Sequence, residues 1–135
     1  MESRAAGAGP TRARLTRAEV GRLGEDLAVE HLRAQGMRVI ERNWRCALGE
    51  LDAVAAEQTL RGTVAVFCEV KTRTGLGYGG PLESITYAKV RRLRSLAAEW
   101  LALHAWRPDD IRLDAVGVIM IAGRAPQIDH VRGIG

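Results

Sequence analysis

Three residues on two neighbouring segments have the types and spacing for metal-dependent chemistry. Glu69 and Lys71 lie two positions apart in the apolar run 64–72, which the sequence predicts as a buried strand. Because side chains alternate along a strand, both project from one face and Val70 projects from the other. Charges on so apolar a strand are costly unless they meet partners. Asp52, at the end of the preceding predicted strand, is one candidate partner, and a metal ion is another.

These residues fit the chemistry of phosphodiester hydrolysis. Mg²⁺ takes oxygen ligands and commonly uses one or two protein carboxylates together with water and substrate phosphate. Asp52 and Glu69 supply that pair, and Glu25 can add a third carboxylate, directly or through water. Lys71 can orient an attacking water or stabilise charge that builds on the phosphate. We therefore expect a Mg²⁺ or Mn²⁺ site, with a purely structural Asp–Lys–Glu ion network as the alternative.

A helix before the strands must position Glu25. Thr16 and Glu19 form a predicted capping box, and Gly36 is a natural stop. Helical spacing predicts an apolar stripe formed by Val20, Leu23, Leu27, Ala28 and His31. Glu25 lies at the margin of this stripe, so it is the acidic residue of the helix best placed to reach the site. A solvated boundary glutamate is the alternative.

The remaining elements predict an α/β fold with a mixed sheet. Three strands with short connections, expected to be antiparallel, come first; they cover residues 37–46, 50–56 and 64–72, with a turn at 57–62. A long helix begins at Ser84 or Thr86 and ends near His104. The buried strand 111–121 follows this crossover, so it is expected to run parallel to the third strand. With a short edge strand at 127–131, the order is αβββαβ, and helices flank a four- to five-stranded sheet.

Composition limits the remaining function classes. Residues 1–17 carry four arginines against one glutamate, which accounts for three of the four net positive charges. Residues 1–15 are predicted to be a disordered basic tail, and residues 16–135 a single domain. No apolar run is long enough for a membrane span, and no secretory signal is evident. Cys46 and Cys68 lack metal-ligand spacing and suit free thiols in a reducing cytoplasm.

A glycine-rich segment, residues 75–80, formally matches the G-x-G-x-x-G pattern. Pro81, Leu82 and Glu83 separate it from the next helix, whose N-terminus is then not placed to hold a pyrophosphate. We therefore expect no nucleotide cofactor. The segment is better interpreted as a loop beside the site, in which Tyr78 can stack on a base.

Basic residues crowd the first half of the second helix: Lys89, Arg91, Arg92 and Arg94. Cations near a helix N-terminus oppose the helix dipole, so the cluster suits a surface that meets an anion. DNA phosphate is the natural candidate. A solvated basic face without a ligand is the alternative.

The motifs in combination resemble a known family. The motifs are Gly24-Glu25, Gly49-Glu50-Leu51-Asp52, Glu69-Val70-Lys71-Thr72-Arg73 and Arg112-Leu113-Asp114. Asp followed by Glu-x-Lys on the next strand resembles the PD-(D/E)xK nuclease superfamily. The full set, over residues 16–132, resembles the bacterial YraN/UPF0102 family, described as similar to archaeal Holliday junction resolvases.

The resemblance implies a restriction-endonuclease-like core. It implies that Asp52 and Glu69 are metal ligands, that Lys71 is the catalytic lysine, and that Glu25 is the acid of the first helix. Leu51 stands where the superfamily name has proline. Arg73, at the end of its motif, joins the basic residues expected to bind nucleic acid. Asp114 is expected either to support the end of the sheet or to pair with a basic residue, without a catalytic role.

Two functions from different classes follow. The first is a metal-dependent endonuclease acting on branched or structured DNA. A homodimer would suit a two-fold symmetric junction, although no segment identifies a dimer face. The second is a non-catalytic nucleic-acid-binding or assembly module on a nuclease fold, in which the same residues form an ion network and the basic helix binds.

Overall fold

The computed structural model describes residues 15–75 and 80–135 as two helices and five strands. In chain order these are α1 (Arg17–Ala34), β1 (Arg38–Cys46), β2 (Gly49–Thr59), β3 (Gly62–Arg73), α2 (Tyr87–Leu103), β4 (Asp110–Ile119) and β5 (Gln127–Arg132). A single turn of 3₁₀ helix, Pro81–Ser84, precedes α2. The α/β class and the αβββαβ order are confirmed, with β5 as the additional strand. The predicted tail lies almost wholly outside the described residues.

The five strands form one mixed sheet in the order β1-β2-β3-β4-β5. β3 and β4 are parallel, as the helical crossover predicts, and the other neighbours are antiparallel. The turn predicted at 57–62 is wrong in extent. β2 continues to Thr59 and β3 starts at Gly62, so only Leu60 and Arg61 connect them. Cross-strand pairing therefore extends nearly to the hairpin tip.

Each face of the sheet carries one helix and one hydrophobic core. Ala28 and Leu32 of α1 pack on one face against small and β-branched side chains, namely Ala53, Ala55, Val66, Cys68, Val116 and Val118. Leu93, Leu96, Ala97 and Trp100 of α2 cover the other face, where they meet Leu51, Val54, Ala65, Phe67 and Leu113. Successive residues of β3 thus serve opposite cores, which is the alternation expected of a central strand.

The stripe predicted on α1 is partly wrong. Leu23 is 43% exposed, whereas Val29 and Leu32 are buried. The helix turns Gly24 toward β3, where a Cβ atom would overlap the side chain of Thr72. Because Gly24 has no side chain, α1 approaches β3 closely at this residue, and the rotation of the helix that allows this contact leaves Leu23 exposed. The capping box of Thr16 and Glu19 is confirmed.

Helix α2 begins and ends as predicted. Thr86 is the N-cap, and its Oγ1 accepts a hydrogen bond from the backbone N–H of Lys89 at 3.2 Å. At the other end, the fully buried indole of Trp100 donates to Glu41 Oε1 at 2.9 Å. No helix in the two described ranges combines the length and the hydropathy that a bilayer crossing requires.

Candidate active site

The site forms where β2 and β3 separate. Their pairing ends at Ala53 and Cys68. One residue earlier on β2, Asp52 Oδ2 accepts a hydrogen bond from the backbone N–H of Val70 at 2.7 Å. A side-chain carboxylate thus takes the place of a strand-to-strand bond. This contact holds the carboxylate between the two strands, next to Glu69.

Asp52 lies in an environment that disfavours its charge. Burial raises the pKa of Asp52 to about 7, and the nearby carboxylates of Glu69, Glu25 and Glu50 add to the rise. The hydrogen bond from Val70 acts in the opposite direction but does not cancel the effect. In the metal-free protein Asp52 therefore keeps its proton to a much higher pH than a solvated aspartate does.

Glu69 has cations as well as carboxylates near it. Burial raises its pKa, while Lys89, Lys71 and Arg92 act to lower it and Glu50 to raise it further. Val70 packs instead in the core beneath α1. Glu69 and Lys71 therefore share a face of β3 as the alternation predicts, and α2 supplies cations to that face.

Helix α1 brings Glu25 to the same place. Glu25 is near enough to Asp52 to raise its pKa. Its Oε1 accepts a hydrogen bond from Asn43 Nδ2 at 2.8 Å. Asn43 has a φ of 54°, a left-handed conformation that asparagine tolerates better than most residues. An irregular position in β1 thus holds the third carboxylate.

Sequence reasoning assigned no role to Glu50 or Asn43. Glu50 raises the pKa of both Asp52 and Glu69, so it is the fourth carboxylate of the site. Its Oε2 lies 3.4 Å from Nε of the exposed Arg45. The position two residues before Asp52 on one strand was the available indication for Glu50. Nothing local indicated Asn43, because its contact with Glu25 spans two elements.

The donor chemistry fits a hard divalent cation. Within residues 15–75 and 80–135, no three His, Cys, Asp or Glu side chains stand together as a ready ligand set. Mg²⁺ does not require one, because one or two protein carboxylates commonly suffice when water and substrate phosphate complete the shell. Asp52 and Glu69 are two half-buried oxygen donors, and burial raises the pKa of each. A bound cation would stabilise the charged forms of both.

The residues predicted to bind nucleic acid lie in several places. Lys89 and Arg92 face Glu69, as their effect on its pKa shows. Arg91, Arg92 and Arg94 line a shallow cavity of about 410 Å³ on α2, together with Ala88 and Ser95. Arg73 Nε is buried and has no hydrogen-bond partner in the described part of the chain. Tyr78 lies outside the described residues.

Asp114 belongs to a separate network and pairs with basic residues as predicted. Its carboxylate is fully buried and accepts from Arg112 Nε and Nη2 at 2.7 and 2.9 Å. His130 Nε2 lies 2.8 Å from Oδ2, and the backbone N–H of Gly133 donates to Oδ1 at 3.1 Å. Burial alone would raise the pKa of Asp114, but these contacts lower it. His31, packed rather than free, lies with Nε2 3.0 Å from His130 Nδ1.

Known proteins match this chain over nearly its full length. A sequence model of the family described as "Uncharacterised protein family UPF0102" matches residues 24–118, which include every residue of the site. A UPF0102 protein of Mycolicibacterium smegmatis is 53% identical over 121 residues, covering 90% of this chain and 96% of the relative. UPF0102 proteins of Mycobacterium marinum and Mycobacterium avium are 51% and 50% identical, covering 90% and 93% of this chain and 98% and 96% of theirs.

Proposed function

The chain belongs to the UPF0102 family, and from its carboxylate site we propose that it is a metal-dependent endonuclease. The proposed substrate is branched or otherwise structured DNA, and the reaction is hydrolysis of a phosphodiester bond. One observation carries the proposal. Asp52 and Glu69, both with raised pKa values, meet where β2 and β3 part, with Lys71 next on the same face.

The charge distribution argues against a self-sufficient ion network. In such a network Lys71 would compensate the carboxylates and keep their pKa values at or below the ordinary range. Instead burial, with repulsion from Glu69, Glu25 and Glu50, raises the pKa of Asp52 to about 7. Lys71 acts on Glu69, whose burial still outweighs the effect of the nearby cations. A divalent ion would supply the positive charge that offsets the burial of these two carboxylates.

In this proposal Asp52 and Glu69 would hold Mg²⁺ or Mn²⁺, with Glu25 as a further carboxylate. The ion would supply Lewis acidity to the phosphate and lower the pKa of water. Hydrolysis adds the water oxygen to phosphorus and breaks one P–O ester bond. The leaving oxygen takes a proton, so one product keeps the phosphate and the other ends in a hydroxyl.

Lys71 and the neighbouring cations act on the substrate. Lys71 donates hydrogen bonds that orient the water or stabilise the charge developing on phosphate oxygens. Arg73 lies two positions further along β3, and alternation puts it on the same face as Lys71, so its guanidinium can donate to a phosphate oxygen. Lys89 and Arg92, on α2, lie near Glu69. They bind the adjacent phosphates of the DNA backbone and so position the DNA.

The proposal extends to partners and location. A homodimer would present two such sites to a two-fold symmetric junction. Cys46 and Cys68 are free thiols, which suits a cytoplasmic protein.

A cleavage panel tests the proposal. Labelled four-way junction, flap, single strand and linear duplex would be incubated with parent protein and with Lys71→Ala, each in Mg²⁺, Mn²⁺ and EDTA. We expect cutting that requires both metal and Lys71, and a loss of at least about 100-fold in the variant, the scale seen when one group that stabilises transition-state charge is removed. Asp52→Ala and Glu69→Ala should lose activity as well.

Glu25→Gln is a further test of the site, and Glu30→Gln is its matched control. Both are glutamates of α1, but Glu25 reaches the site whereas Glu30 is exposed. Glu25→Gln should slow cutting, and Glu30→Gln should cut like the parent. If Lys71→Ala cuts as fast as the parent, the activity belongs to a contaminant or to other residues.

A non-catalytic nucleic-acid-binding module is the second candidate. The three arginines that line one cavity on α2, Arg91, Arg92 and Arg94, favour it. It predicts salt-sensitive binding in EDTA, weakened by replacing Arg91, Arg92 and Arg94, with no cutting in any metal. Metal-dependent cutting that is lost in Lys71→Ala excludes it.

A further inference from the structure

Tyr87 is an aromatic residue on the surface rather than in the core. Its side chain is 79% exposed, in the first turn of α2. Among the described aromatic residues, Phe67 and Trp100 are buried and Trp44 and Trp106 are half-buried. Tyr87 therefore has an accessible ring and contributes to neither core.

Arg91 lies over one face of this ring. Its guanidinium carbon lies 5.8 Å from the centre of the Tyr87 ring, within the range of a cation–π contact. Residues four apart on a helix share a face, so the pair is local to α2 and does not depend on a distant strand. A flat ring backed by a guanidinium is the arrangement that stacks on a nucleobase.

A place for phosphate adjoins the ring. Arg91, Arg92 and Arg94 line the shallow cavity on α2 together with Ala88 and Ser95. Arg92 lines this cavity and is also near enough to Glu69 to lower its pKa, so one residue is common to the cavity and the surroundings of the carboxylates. The order across the surface is the carboxylates, then Arg92, then Arg91 with Tyr87.

From this order we infer that Tyr87 and Arg91 form a stacking platform for an unpaired base of DNA, while Arg92 and Arg94 hold the flanking phosphates. The inference rests on the proposed function and specifies its substrate class. A paired base keeps both of its faces within the duplex stack, so it cannot lie on the ring. The preferred substrate thus carries unpaired nucleotides beside the cut, as at a fork, a gap or a branch point.

Binding in EDTA tests the platform without cutting. Two DNAs of equal length would be compared, one fully paired and one with a three-nucleotide gap whose unpaired strand carries 2-aminopurine. Stacking of one base on an aromatic side chain strengthens binding by about 5- to 150-fold. We expect Tyr87→Ala to weaken binding of the gapped DNA about tenfold, to leave duplex binding within about twofold, and to abolish quenching of 2-aminopurine.

Two variants serve as controls. Tyr87→Phe keeps the ring and should bind like the parent. Leu103→Ala removes another exposed apolar side chain, 67% exposed, from the other end of α2 and should also leave binding unchanged. Equal loss for gapped and duplex DNA in Tyr87→Ala overturns the inference, and so does parent-like quenching in that variant. Tighter, Tyr87-dependent binding of the same gap made in RNA overturns the assignment to DNA.

The outcome is separable from that of the nuclease proposal. Tyr87-dependent preference for gapped DNA in EDTA, without cutting in Mg²⁺ or Mn²⁺, supports the platform and refutes the nuclease. Cutting that requires Lys71, with no Tyr87-dependent preference, supports the nuclease and refutes the platform.

Discussion

The charged form of Asp52 lowers the free energy of unfolding of the metal-free protein. Its pKa is about 7 in the folded protein and ordinarily 3.8, so the folded state binds the proton more tightly than the unfolded state. Stability from this group is then full below about pH 3.8 and is lost as pH rises to 7. Above pH 7 a desolvated charge remains in the fold.

Replacing Asp52 by asparagine should stabilise the protein in EDTA. At pH 8 we expect Asp52→Asn to raise the free energy of unfolding by about 1–3 kcal/mol, because the buried charge disappears while an oxygen remains to accept from Val70. Near pH 4 the gain should vanish. Urea unfolding at the two pH values measures it.

Asp26→Asn is the control for this change. Asp26 forms an exposed ion pair with Arg42, with its own side chain 58% exposed, so its replacement should have a small effect of either sign. A loss of stability in Asp52→Asn at pH 8 would mean that the Asp52 charge is compensated within the fold.

The main site residues were predictable because their spacing is local. Alternation places Glu69 with Lys71, and helical spacing places Glu25 at the margin of α1. Glu50 was not identified, since a glutamate near a turn is ordinarily solvated. Tyr87 was not identified either, because the sequence does not show whether the first turn of a helix is covered.

The contact of α1 with β3 sets the height of Glu25 above the sheet. Gly24 lies against Thr72, and Glu25 is the next residue. A Cβ atom at Gly24 would overlap the Thr72 side chain, so any larger residue must push the helix away from the strand. Glu25 would then move away from Asp52.

Gly24→Ala should therefore harm both stability and cutting. We expect a loss of about 1–3 kcal/mol in the free energy of unfolding, typical of overpacking, measured by thermal or urea unfolding. Gly21→Ala is the matched control on the same helix, since a Cβ there meets nothing within 4 Å. It should be neutral or stabilising by up to about 1 kcal/mol. Equal effects of the two changes would contradict the close contact.

Helix ends were easier to predict than helix faces. Both helices begin at a side-chain cap whose hydrogen bonds span only three residues. The cap of α1 is Thr16 with Glu19, and the cap of α2 is Thr86. The face of α1 depends instead on what β3 presents. Spacing alone predicts an apolar stripe that includes Leu23. The absence of a side chain at Gly24 lets α1 approach Thr72 of β3 closely, and this contact determines which face of the helix turns toward the sheet.

A polar network around the buried Asp114 joins four elements on the side of the sheet away from Lys71. Arg112 of β4 contacts Glu57 of β2 at 2.8 Å as well as Asp114. His130 of β5 connects Asp114 to His31 of α1. Such contacts span up to 99 residues, so no local pattern indicates them. The sequence allowed only two alternatives for Asp114, support of the sheet end or a basic partner, and named none of these contacts.

Removing Arg112 should be costly because Asp114 is fully buried. We expect Arg112→Met to lower the free energy of unfolding by about 3–5 kcal/mol, since it leaves a buried carboxylate short of its main partner. The pKa of Asp114 is held below 3.8, so its stabilising contribution exists above that pH and is lost as pH falls through the folded pKa. The difference between variant and parent should narrow below about pH 3.8.

Two further variants test whether the removal of Arg112 leaves Asp114 as an unpaired buried charge. Adding Asp114→Asn to Arg112→Met should recover part of the loss, because the unpaired charge is gone. Arg42→Met, which breaks an ion pair at the surface, should cost less than about 1 kcal/mol. Urea unfolding of all four proteins measures the comparison. A double variant less stable than Arg112→Met alone would show that Asp114 is not left as an unpaired charge.

The partners of Asp114 also limit how far the chain can be shortened from its C-terminal side. His130 and Gly133 follow Asp114 by 16 and 19 residues, and both contact its carboxylate. A chain that ends after β4 would lose these two contacts and would leave one edge of β4 without its partner strand. Such a truncated chain should be more susceptible to proteases and to aggregation than the full chain.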